Sequence, residues 1–141
     1  MEEQTSRKFS FRVLGEPVAK ARPRFNSKTR VAYTNSKTTK AENSIKYEYL
    51  KNGGERKENY IGTVKVRMLF VFPIRKSWTK KKQKAMLNNF HTIKPDLDNL
   101  EKTVLDALNG LAFKDDSQVC EVTKIKAWSE IPYTQITLIY E

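Results

Sequence analysis

The chain is poor in the residues that build several common kinds of site. It has one cysteine, Cys120, and one histidine, His91, in 141 residues. A single thiol forms neither a disulfide framework nor a cysteine-rich zinc site within the chain, and a reducing, cytoplasmic setting is the default. Cys120 falls in an apolar stretch and reads as a small core residue. A nuclease finger that grips its metal through several histidines is excluded, and the isolated His91 beside Phe90 reads as structural. Glycine and proline number five each, and no Gly-rich phosphate loop of the Walker type is present. No run approaches the roughly 18 apolar residues of a spanning helix. The start, Met-Glu-Glu-Gln, lacks the apolar core of a signal peptide. No membrane partner is expected.

Aspartate is confined to one region. Asp96, Asp98, Asp106, Asp115 and Asp116 are the only five, and every other acid is glutamate. Against this stands a formal net charge of +11 and a pI near 9.8. Residues 17–51 carry nine Lys or Arg against two Glu, and residues 74–94 carry seven and no acid. Residues 95–121 reverse the sign, with seven acids against two lysines. Such an excess favours a polyanionic partner, nucleic acid ahead of an anionic membrane. A cationic surface broken by one aspartate cluster suits a metal-dependent nuclease: cations hold phosphates, and carboxylates hold the metal.

Hydrophobic periodicity predicts the elements. Lys8 to Leu14 alternates as a strand, closed by Gly15 and Pro17. Residues 15–36 read as a basic loop around Arg22-Pro23-Arg24. A helix is expected over 37–50, stopped by Gly53-Gly54, and a buried strand over 62–72. Thr79 caps a short helix over 79–88, and a longer one spans 96–109 with Gly110 after it. Strands over 119–128 and 133–140 flank a turn and read as a hairpin. The order β-α-β-α-α-β-β implies one α+β domain over residues 1–141, with a small mixed sheet and packed helices.

In the aspartate region, Leu97, Leu100, Val104, Leu108 and Leu111 form the apolar stripe of a helix. Asp98, Lys102 and Asp106 share another face at spacings of four. Singly, each acid has an ordinary reading: Asp96 as an N-cap, Asp98 as a complement to the helix dipole, Asp115-Asp116 as a solvated turn. Together they concentrate like charge that a hard cation such as Mg²⁺ would relieve. That requires the 115–116 pair to fold back beside the helix start, which holds only if the strand from Val119 runs next to it. Lys102 is either an ordinary i,i+4 partner of Asp98 or a cation for charge developing on a phosphate. Asn99 is either helix-entrance polarity or a support for a ligand carboxylate. Asp96-x-Asp98-Asn99 begins like an EF-hand loop, but Glu101 stands where glycine is required.

The run Lys94-Pro95-Asp96-Leu97-Asp98-Asn99-Leu100…Lys102…Asp106-Ala107-Leu108-Asn109-Gly110…Asp115-Asp116 closely resembles the RusA family of Holliday-junction resolvases. The opening Gly15-Glu16-Pro17-Val18-Ala19-Lys20-Ala21-Arg22-Pro23-Arg24, followed by Tyr33-Thr34, is similar to that family's basic N-terminal motif. The resemblance covers most of the chain and is least distinctive over 37–90. It implies an α+β homodimer that binds four-way junctions and branched DNA, needs Mg²⁺ or Mn²⁺, and makes paired nicks of matching polarity. It implies Asp96, Asp98 and Asp116 as essential carboxylates and metal ligands, and Lys102 as an essential lysine; Asp106 and Asp115 match with less weight. A phage or prophage origin is plausible on the same ground. Two other readings stand beside it: a non-enzymatic module that recognises branched DNA, and a metal nuclease acting on flaps.

Candidates for phosphate contact are Lys20, Arg22, Arg24, Arg75, Lys76 and Lys94. Pro23 holds its two flanking guanidiniums in an extended display. The run Lys80-Lys81-Lys82 and Lys84 are further candidates, with a solvated helix face as the alternative. Trp78 reads as core or interface rather than as a stacking platform.

Overall fold

The computed structural model describes residues 6–21, 24–26, 28, 31–33 and 36–141. The alternation of Phe9, Phe11 and Val13 builds strand β1 (Arg7–Leu14). Two short strands, β2 (Arg24–Asn26) and β3 (Val31–Tyr33), pair antiparallel where a loop is expected; three residues are too few to display a period. Helix α1 (Ser36–Lys51) buries Thr38, Ile45 and Tyr49. Strand β4 (Val64–Pro73) follows, then helices α2 (Lys80–Met86) and α3 (Leu97–Leu108), and strands β5 (Val119–Ser129) and β6 (Tyr133–Tyr140). No helix among the described residues is long and apolar enough to cross a membrane.

The main sheet has the order β1-β6-β4-β5. β5 runs parallel to β4, while β6 runs antiparallel to both β4 and β1. The expected β5–β6 hairpin is therefore not formed: residues 130–132 carry the chain across the end of β4, and the two strands flank it. The physical reason lies in β4 itself, which buries Val64, Val66, Met68, Phe70, Val71 and Phe72. A strand with so little exposed surface belongs in the middle of a sheet, with both edges paired. Cys120 also departs from expectation, being exposed. Pairing with β4 jumps from Val119 to Glu121, so Cys120 is the extra residue of a bulge on an edge strand.

One face of the sheet packs against α1 and α3. Leu100, Val104, Ala107 and Leu108 of α3 lie at 0–1% exposure within one cluster with Phe70, Ile136 and Leu138. Truncating such a leucine to alanine costs about 2–5 kcal/mol. Phe9 and Phe11 meet the Tyr49 ring edge-on, at centroid separations of 5.3 and 5.7 Å. After α3 the chain turns at Gly110 (φ 75°) and drives Leu111, Ala112 and Phe113 into the core. The buried Tyr140 hydroxyl donates to the Ala112 carbonyl at 2.8 Å, which fixes the segment that precedes Asp115.

Candidate active site

Asp96 occupies the N-cap position of α3, but its side chain makes no capping hydrogen bond. Its carboxylate instead meets the exposed Lys94 ammonium at 2.8 Å. That hydrogen bond holds the Asp96 carboxyl below the usual carboxylate range. Asp98 lies exposed in the first turn of α3 and holds no hydrogen bond or ion pair among the described residues.

The acid pair after α3 divides in two. Asp115 caps a single 3₁₀ turn (Asp116–Gln118): its carboxylate accepts the Ser117 N–H at 3.1 Å, and Gln118 reaches back to the Asp115 N–H at 3.0 Å. The hydrogen bonds from Ser117 pull the Asp115 pKa down. Asp116 is exposed; its N–H donates to the side-chain oxygen of Asn109 at 3.0 Å, and its carboxylate has no partner among the described residues. Asp106 is engaged as well, lying 3.3 Å from Lys20 and 3.9 Å from Lys102. Asp98 and Asp116 thus display unengaged carboxylates, and Asp96 is tied only to a surface lysine. The two acids with less weight as ligands are the two with structural duties.

These groups do not converge within one chain. Asn109 is the C-cap of α3, so Asp116 sits at the far end of the helix from Asp96, roughly 20 Å along its axis. β5 does run beside α3, but in the opposite direction. Lys126 lies at the helix entrance, with Nζ donating to the carbonyls of Ile93 (2.7 Å) and Pro95 (2.8 Å). Lys124 meets Glu101 at 2.6 Å one step further, leaving Val119 by the helix end. Among the described residues no three acids, histidines or cysteines come close enough to enclose a metal ion. The expectation that the 115–116 pair folds back onto the helix start fails for a single chain.

The expected phosphate contacts divide in the same way. Arg22 lies outside the described residues, and Arg24 is placed in β2 without a description of its side chain. Arg75, Lys76 and Lys94 are exposed. Lys20 is not displayed: with 17% of its side chain accessible, its ammonium meets Glu42 at 2.6 Å and Asp106 at 3.3 Å. The hydrogen bond to Glu42 raises its pKa. It ties the basic N-terminal segment to α1 and α3 and is not offered to a phosphate. Lys102 is exposed and pairs with Asp106, not Asp98. The side chain of Asn99 holds no carboxylate among the described residues; its backbone carbonyl accepts the Lys20 N–H at 2.8 Å. Trp78 packs on Trp128 (4.9 Å between centroids), with the Lys82 ammonium 4.6 Å from its ring.

His91 is buried, stacked 4.3 Å from Phe72 and 4.2 Å from Trp128, with no partner for Nδ1 among the described residues. Burial, then the nearby Lys126 charge, lowers its pKa to about 4. It is the neutral structural residue that its isolation in the sequence suggests. Two contacts beside the acids carry no motif in the sequence: Lys126 at the entrance of α3 and Asn109 at its end. The available signal was two lysines, 124 and 126, in strand register with the inward-facing Val122 and Trp128.

A family model described as endodeoxyribonuclease RusA matches residues 15–139. An uncharacterised protein of Bacillus subtilis (strain 168), YqaN, is 37% identical over 133 residues, covering 91% of this chain and 93% of its own. The matched span takes in α3, the acids at both of its ends and, of the main sheet, β4, β5 and all but the last residue of β6, while β1 lies before it. The chain belongs to the RusA family of endodeoxyribonucleases, the junction-resolving nucleases of DNA recombination.

Proposed function

We propose that the protein resolves four-way DNA junctions as a homodimer, making paired symmetric nicks with a divalent cation, Mg²⁺ or Mn²⁺, held by Asp96, Asp98 and Asp116. The observation that carries this is the division among the five aspartates: Asp106 and Asp115 are engaged in the fold, while Asp98 and Asp116 display carboxylates that have no partner among the described residues. Exposed hard oxygen donors beside cationic side chains suit Mg²⁺ or Mn²⁺. Because the two groups lie at opposite ends of α3, a two-fold related copy that packs against this helix would bring its Asp116 to the Asp96–Asp98 end, and the reverse. That arrangement makes two equivalent sites, matching two strands of a junction.

The ion, when bound, supplies an activated water for in-line attack and stabilises the departing 3′ oxygen. Asp96, Asp98 and Asp116 would hold the ion, Asp96 giving up its bond to Lys94 to do so. Lys102, exposed on α3, would meet the phosphate as charge builds. Arg22, Arg24, Arg75, Lys76 and Lys94 hold the backbones, so affinity falls steeply with salt.

A single chain without converging acids also fits a branched-DNA-binding module. The deciding experiment compares junction cleavage in Mg²⁺ and in EDTA for the wild type and Asp98→Asn. Cleavage in Mg²⁺ that the variant loses while still binding the junction supports the nuclease. Equal cleavage by both ends the assignment of Asp98. A panel of junction, flap and duplex substrates fixes the class of branch.

A further inference from the structure

Lys126 sits on the wrong face for a surface lysine. In the β5 register its side chain shares the inward face with Val122 and Trp128, opposite Phe70 of β4. Burial disfavours its charge, yet no carboxylate lies within ion-pair distance of its ammonium among the described residues. It donates to two backbone carbonyls, Ile93 at 2.7 Å and Pro95 at 2.8 Å. These flank Lys94 and immediately precede Asp96. Two residues earlier on the same face, Lys124 binds Glu101 at 2.6 Å, just beyond Asp98. The segment is also tied to the β5 edge upstream, where the His91 N–H donates to the Lys126 carbonyl at 3.0 Å. Asp96 and Asp98 therefore project from a stretch clamped on both sides by β5; the Asp98 side chain makes no bond among the described residues, and that of Asp96 reaches only the neighbouring Lys94.

We propose that Lys126, assisted by Lys124, is a positioning residue that fixes the entrance of α3 so that Asp96 and Asp98 face one cation. This deepens the reading above and rests on it. An ammonium donating to two carbonyls sets the direction of the chain into Asp96 in a way that an apolar side chain of the same length does not. Groups that orient ligands in this way alter metal affinity about 10–100-fold when removed.

The test measures Mn²⁺ binding by electron paramagnetic resonance for wild type, Lys126→Met and Lys126→Arg, beside junction affinity in EDTA and thermal melting of each. The expected result is at least ten-fold weaker Mn²⁺ binding in Lys126→Met. Junction affinity in EDTA stays within two-fold, and Lys126→Arg, which can still donate to both carbonyls, recovers most of the loss. Lys124→Met gives the same signature, smaller. Folded Lys126→Met with unchanged Mn²⁺ affinity overturns the proposal, as does a loss of junction affinity in EDTA with Mn²⁺ binding intact, which makes Lys126 a phosphate contact. If Lys126→Met does not fold, Lys126→Arg and Lys124→Met decide by the same readouts. Absence of Mn²⁺ binding in the wild type refutes the cation reading and this inference with it; loss confined to the variants does not.

Discussion

The N–H of Asp116 donates to the side-chain oxygen of Asn109, 3.0 Å away, and so ties the displayed acid to the last turn of α3. An exposed hydrogen bond of this kind, which water can replace, contributes only about 0.5 kcal/mol to stability. Its greater consequence is geometric, because it sets where the carboxylate emerges. Asn109→Ala is expected to lower Mn²⁺ affinity several-fold while its urea midpoint stays close to wild type. A matching fall in both would make the contact merely structural.

Separation of the acids along α3 predicts complementation between inactive chains. Asp98→Asn and Asp116→Asn homodimers each lose both sites. Mixed and refolded together, their heterodimers contain one site with both substitutions and one intact site. With random pairing, ~25% of wild-type nicking returns, as single nicks instead of paired ones. No recovery, with heterodimers verified by mass spectrometry, would place both carboxylates of a site in the same chain.

Lys20 is expected to act on stability instead of DNA affinity. Lys20→Met leaves Glu42 and Asp106 facing each other without their shared cation, at a cost of about 1–3 kcal/mol. Junction affinity should move less than two-fold. Lys76→Ala, on an exposed turn, should weaken binding and lower the slope of log affinity against log salt by about one. The opposite ranking would restore Lys20 as a phosphate contact.

Burial of His91 couples folding to pH. Its pKa falls from 6.5 to about 4, so between those values the unfolded chain takes up a proton that the folded one refuses. Stability therefore drops as pH falls from 6.5 towards 4 and levels off below, a loss on the order of 3 kcal/mol. His91→Phe keeps the stack between Phe72 and Trp128 and removes the unpartnered Nδ1. It should flatten the His91 part of the profile, leaving the carboxylates, and be more stable than wild type at pH 5 in urea titrations. Identical profiles for the two proteins would dismiss this coupling.

The elements themselves are legible in the sequence because their burial is periodic. β1 alternates, α3 repeats its leucines at helical spacing, and Gly110 ends it with a positive φ that few other residues adopt. Strand order is not legible, because Ser129 to Pro132 suits a hairpin as well as a crossing, and only the burial of β4 decides. The aspartates are legible as a chemical type. Which of them are engaged is not, since that depends on Lys20 arriving from the N-terminal segment and on Gln118 closing its turn. Nor does any local pattern state that β5 runs antiparallel to α3, which is what separates Asp116 from Asp96.

The place of β6 between β1 and β4 has a consequence for how the molecule is made. Arg7 pairs with Tyr140, so β1 waits for β6, far down the chain, before it has a strand beside it. Until β6 arrives, β1 and β4 are two unjoined fragments with open edges, and contacts this distant in sequence slow folding. On the ribosome, the basic N-terminal half would emerge long before the sheet can close, and trimming residues 133–141 would remove the seam that joins the two halves, not a dispensable tail.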